Sequence, residues 1–98
     1  MTILTFNSAQ ELEAISKLSF KKTDVLDSQR DKIKRHASLL KAVVMDSLHK
    51  AEVVLIVEDQ DSTKKLRSRI IAAGNDRVML DKGISIPVHC ISHVEFPG

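Results

Sequence analysis

The chain has 98 residues, 43% of them hydrophobic and 29% charged, enough for one domain with a modest core and no need of a disulfide or metal. Three phenylalanines are its only aromatic residues, which argues against functions built on ring stacking, such as single-strand platforms or polyproline grooves. A net charge of +2 is too small to mark a nucleic-acid binder, although residues 1–50 carry nine Lys/Arg against six Asp/Glu and residues 51–98 carry six against seven.

Taken in chain order, the first residues have neither the basic segment nor the long apolar run of a signal peptide. The expectation is therefore a soluble, cytoplasmic protein with no membrane partner. Ile3–Phe6 reads as a short extended lead-in. Ser8 and Glu11 have the spacing of a capping box, so a short helix is predicted over 9–18, with Leu12, Ile15 and Leu18 on one face. Neither glycine nor proline occurs before Gly74, which favours long regular elements in the first half.

A second, longer helix is predicted from about Asp24 to Lys50, with Asp24 and Asp27 in the first turn and His49 and Lys50 in the last. Ile33, Ala37, Leu40, Val44 and Leu48 share one face at spacings of four, three, four and four, and Leu26, Leu39 and Val43 widen the stripe. Unbroken, such a helix is about 40 Å long. It would project beyond a domain whose radius of gyration is about 13 Å. The expectation is that its C-terminal part covers the core, while the part around Leu26 and Ile33 meets a second copy of the chain.

The second half is read as closely spaced strands over Ala51–Asp59, Thr63–Ala73, Arg77–Asp81, Ile84–Val88 and Ser92–Phe96. Val53–Val57 is apolar on both faces and is expected to be buried on both. Alternation along the next strand sends Lys65, Arg67 and Arg69 one way and Leu66, Ser68 and Ile70 the other. Turns are marked at Asp59–Ser62, Gly74-Asn75 and Lys82-Gly83, and Pro87 should end a ladder near a sheet edge. Val88–Ile91 reads as one tight turn. The resulting fold class is α+β in a single domain over 1–98: a lead-in and helix (1–22), a long helix (23–50), and a five-stranded antiparallel SH3/Sm-like barrel (51–98).

From Asp24 to Phe96 the order of elements resembles Sm-like barrels, which implies a capping helix, ring assembly and RNA binding. The Asp-x-x-Asn-like and Arg-Gly-like loops that Sm proteins use on RNA bases are missing; Asn75–Arg77 has a different spacing. Residues Lys34–Lys41, Val53–Asp59 and Ile84–His89, followed by Ile91, are similar to those of a group of short bacterial proteins with no known activity.

Three groups of side chains are candidates for a site. Lys32, Lys34 and Arg35 on the helix, with Lys65, Arg67 and Arg69 on one strand, could line phosphates. Asp31, Glu52 and Glu58 could neutralise part of them, and a solvated face that keeps an exposed strand from aggregating is the plainer account. His89, Cys90 and His93 are possible zinc ligands, but strand alternation separates His89 from Cys90 and no fourth ligand is evident. A lone buried cysteine between surface histidines, in a reducing compartment, is the plainer account. Leu26, Ile33, Ala37, Leu40 and Val44 form the candidate interface. No cofactor or small-molecule substrate is implied and no catalytic constellation is found. The expectation is a non-catalytic protein–protein or self-assembly module, homo-oligomeric, with RNA or DNA binding as the alternative.

Overall fold

Pleating of the run 53–58 places Val53, Leu55 and Val57 in the core and leaves Val54, Ile56 and Glu58 half-buried, so burial on both faces, expected from the all-apolar run, is realised on one face only. In the computed structural model, which describes residues 5, 6, 11, 14, 22–58 and 63–97, this segment is the centre of the first sheet. The elements are β1 (Thr5–Phe6), α1 (Gln29–His49), β2 (Val53–Glu58), β3 (Thr63–Ser68), β4 (Ile70–Ala73), β5 (Arg77–Leu80), β6 (Ser85–Pro87), a 3₁₀ turn (Val88–Cys90) and β7 (Ile91–Glu95). The helix predicted over 9–18 and the turn at 59–62 lie outside the described residues, apart from Glu11 and Ala14, which are helical and exposed.

The strands form two sheets. β3, β2 and β7 are antiparallel neighbours, with two residues of β1 added in parallel at the β3 edge, while β4, β5 and β6 make a separate antiparallel sheet. The expected five-stranded barrel is not present: the strand read as continuous over Thr63–Ala73 is divided at Arg69, its halves join different sheets, and no closed barrel forms. The reason lies at Arg69. Its side chain leaves the sheet to pair with Asp46 on α1 and Asp81 beyond β5. Its carbonyl accepts from the Asp81 amide at 3.1 Å, and the ladder slips between Ile70 and Ala72. A bulge of this kind bends a strand and redirects its pairing.

The side-chain alternation from β3 into the start of β4 is as the pattern predicts, with Leu66, Ser68 and Ile70 buried and Arg67 exposed. Gly83 takes φ +77° in the turn between β5 and β6, the left-handed region that glycine enters without a side-chain penalty. Pro87 closes β6 at a sheet edge, and Val88–Cys90 is the single tight turn expected there.

Helix α1 starts five residues later than predicted. Ser28 has extended geometry and accepts from the Asp31 amide, which makes it the N-cap. Asp24 lies outside the helix because its carboxylate accepts from the Leu26 amide and from Arg35. At 21 residues the helix is about 32 Å long. That fits within overall dimensions of 35 × 33 × 24 Å, so the projection expected of a longer helix does not arise.

The helix packs on β4 of one sheet and β7 of the other, and so ties the two together. It does this with an unexpected face. Its buried residues are Arg35, Leu39, Ala42 and Asp46, of which only Leu39 is a large hydrophobe. Leu39 and Ala42 join a core that includes Leu55, Leu66, Ile70, Leu80, Ile86 and Ile91, all essentially inaccessible. Charged residues at each end of the inner face fasten it: Arg35 near the first turn to Asp24, and Asp46 near the last turn to Arg69.

Candidate docking surface

An α-helix advances 100° per residue, so Ile33, Ala37, Leu40, Val44 and Leu48 fall within a sector of about 80°. The inner face is on the opposite side of the cylinder. The apolar stripe therefore points outward along its whole length: Ile33 is 61% exposed, Leu40 45%, Val44 55% and Leu48 70%. The expectation that its C-terminal part covers the core is corrected by these values. Leu26 is half-buried ahead of the helix and does not belong to the stripe.

Ile71 and Met79 are also exposed, at 45% and 38%. They stand on β4 and β5, and β4 is the strand of the second sheet against which α1 packs. Among the described residues these six are all the exposed large hydrophobics, and β2, β3 and β7 contribute none. The four on α1 share one helical face and so differ from singly scattered surface hydrophobes, which need no explanation; Met79, between buried Val78 and Leu80, is on the outer face of its own sheet. Ile71 and Met79 were not singled out from the sequence; Met79 alternates with buried Val78 and Leu80, a pattern visible in advance.

The cations proposed to bind phosphate do not form one surface. Arg35 is buried and donates to both Asp24 oxygens at 2.8 and 2.7 Å and to the Ile91 carbonyl at 3.1 Å. The Arg35 guanidinium holds the Asp24 carboxyl below its usual value, against a smaller opposing effect of burial. Arg69 is engaged by Asp46 and Asp81, and the Asp46 hydrogen bond raises its pKa. Lys65 lies 3.4 Å from Glu95. Lys32 is half-buried, and only Lys34 and Arg67 are exposed. These two stand on α1 and β3, with β2 and β7 between β3 and the helix. The acids paired with these cations are Asp24, Asp46, Asp81 and Glu95; Glu52 adds a smaller electrostatic effect on Arg69, as the sequence suggested, whereas among the described residues Asp31 and Glu58 pair with none of them. Asp24 is eleven positions from Arg35, which no local spacing rule detects. Arg35, Leu39, Ala42 and Asp46, however, repeat at four, three and four, a helical period as clear as that of the apolar stripe.

Cys90 is fully buried, His89 half-buried and His93 exposed. Among the described residues no group of three or more His, Cys, Asp or Glu side chains could hold a metal ion. A groove of about 530 Å³ with a mixed lining runs between α1 and β7 past Leu26, Lys34, Arg35, Ala37, His93 and Val94. The Nε of Arg35 is buried without a hydrogen-bond partner. Among the described residues no helix is long and apolar enough to cross a membrane. Compared with protein-family models, curated proteins and solved structures, the chain matches none. The function therefore has to be argued from the surface itself.

Proposed function

We propose that this chain is a non-catalytic protein-docking module whose binding face is the outer side of α1. The observation that carries it is the outward apolar stripe, set opposite a buried face that holds two charged residues. Surfaces of this kind are costly to leave in water and mark sites of association. Burying the exposed part of four aliphatic side chains contributes about 1 kcal/mol each. Against an association cost of about 4–15 kcal/mol, the stripe alone supports weak, reversible binding. Nucleic-acid binding is not advanced, because Arg35, Lys65 and Arg69 already have carboxylate partners.

Site-specific photo-crosslinking in cells tests the proposal. A photoreactive residue at Leu40 or Val44 should give the same adduct, identified by mass spectrometry, and Leu48→Asp should abolish it. The same probe at Arg67, on β3, should not give that adduct. No adduct from α1, or an identical pattern from Arg67, would overturn the proposal.

A further inference from the structure

The outward seam of α1 can be written as two heptads. Ile33 and Leu40 take d positions and Ala37 and Val44 take a positions, since they alternate by four, three and four. Three residues then flank the seam on one side, at e: Lys34 and Lys41, both exposed, and Leu48, which prolongs the apolar stripe. On the other side, at g, stand His36, which is exposed, and Val43, which is half-buried against the core. Arg30 takes the preceding a position, at the N-terminal end of the seam itself, and is exposed as well. Lys41 is held in place with its Nζ 4.5 Å from the centre of the Phe96 ring. The acids of the helix lie elsewhere: Asp31 at a b position, away from the seam, and Asp46 on the buried face.

Charges at e and g select the partner of a helical seam and its direction. An antiparallel second copy would set Lys34 and Lys41 against the same lysines, which is repulsive. A parallel second copy would set them against His36 and Val43, which supply no carboxylate. A homodimer through this seam would therefore bury its apolar residues with unfavourable or indifferent flanks. A membrane surface fits less well than a helix, because the stripe is narrow and has no aromatic residue to seat in the headgroup region.

Resting on the docking role assigned above, we infer that the partner is a different chain, an amphipathic α-helix that presents Glu or Asp to Lys34 and Lys41. Its apolar residues pack over Leu40 and Val44, with Ala37 allowing the closest approach. Its acids also meet Arg30 at the N-terminal end of the seam.

The test uses the whole chain and two synthetic helical peptides of α1's length. The peptides share one apolar seam and differ only in carrying Glu or Lys at the flanking positions. Titration calorimetry should give tighter binding of the Glu peptide by about tenfold, since each exposed pair is worth about twofold and repulsion replaces attraction at two positions. Added salt should narrow that gap. Lys34→Glu with Lys41→Glu should invert the preference, and backbone amide NMR shifts should map to α1. Equal binding of both peptides, abolished by Leu40→Asp, would refute the acidic partner and leave the docking role standing. A chain that dimerises alone by light scattering, and loses the dimer on Leu40→Asp, would do the same in favour of a second copy. Binding to phosphatidylserine vesicles but to neither peptide would assign the face to a membrane and overturn both. No binding to either peptide and no self-association would overturn both as well.

Discussion

Removing the carboxylate of Asp24 tests the claim that α1 is fastened by charges. Arg35 donates three hydrogen bonds, two to Asp24 and one to the Ile91 carbonyl, and its side chain is only 6% exposed. In Asp24→Ala the guanidinium stays inside with one carbonyl to face. Breaking a buried pair on one side costs about 3–5 kcal/mol. The Asp24 side chain is 21% exposed, so water can reach part of the vacated space and the lower end, about 3 kcal/mol, is expected. Domains of this size have about 5–15 kcal/mol in total, and each kcal/mol moves the thermal midpoint by about 4–8 °C. A fall of about 12–24 °C follows. Urea unfolding by far-ultraviolet circular dichroism is the assay, because the chain has no Trp or Tyr to report by fluorescence. The partner experiment is Asp24→Ala with Arg35→Met, which removes the stranded charge and should recover at least half of the loss. A cost for Asp24→Ala below about 1 kcal/mol, the range of surface pairs, would refute the reasoning. So would strict additivity in the double variant.

The two sides of α1 should respond in opposite ways to substitution. Leu39→Ala should cost about 2–5 kcal/mol in the same urea assay, whereas Leu40→Asp, one residue on, should stay within about 1 kcal/mol. Stability should also depend on acid through Asp24. Its folded pKa lies below the usual value of 3.8, so the folded state binds fewer protons in that range. The contribution is complete above the unfolded pKa and is lost as pH falls through the folded one. Asp24→Asn should accordingly flatten the acid limb of the stability profile below about pH 4. At Gly83 the φ of +77° leaves open space where a Cβ would stand. Gly83→Ala should therefore cost about 1–2 kcal/mol from backbone strain alone, read as a shift in the urea midpoint at constant slope.

Much of the strand half was legible because burial there follows a two-residue period. Leu66, Ser68 and Ile70 against Arg67 are ordinary products of pleating, whereas in β2, where every residue from Val53 to Val57 is apolar, the pattern does not tell the buried Val53, Leu55 and Val57 from the half-buried Val54 and Ile56. The break at Arg69 was not legible. An arginine in an alternating run reads as a strand residue until its side chain is known to leave for Asp46, twenty-three positions earlier. The long helix was legible in extent but not in its start, since Asp24 and Ser28 are both acceptable caps and only the tertiary pair with Arg35 separates them. Its orientation was misread for a definite reason. Periodicity identifies a face but not its neighbour, and the rule that the apolar face is inward assumes a single apolar face.

Two helical faces with the same period compete in α1, and the energetics explain why the charged one won the interior. Leu39 and Ala42 bring modest apolar area, but Arg35 and Asp46 each meet a fixed counterion from another element. A buried ion pair with well-made hydrogen bonds is at best near break-even as a source of stability. Its stronger effect is on alternatives. Rotating the helix by half a turn to bury Ile33, Leu40, Val44 and Leu48 would strand Asp24 and Arg69 and place Lys34 and Lys41 toward the sheets. Unpaired buried charge disfavours that arrangement by more than four aliphatic side chains gain. The ion pairs therefore act as an orientation device that holds the apolar seam outward. The seam is thus held in water, where its exposure is costly to the monomer alone and is relieved when a partner covers it.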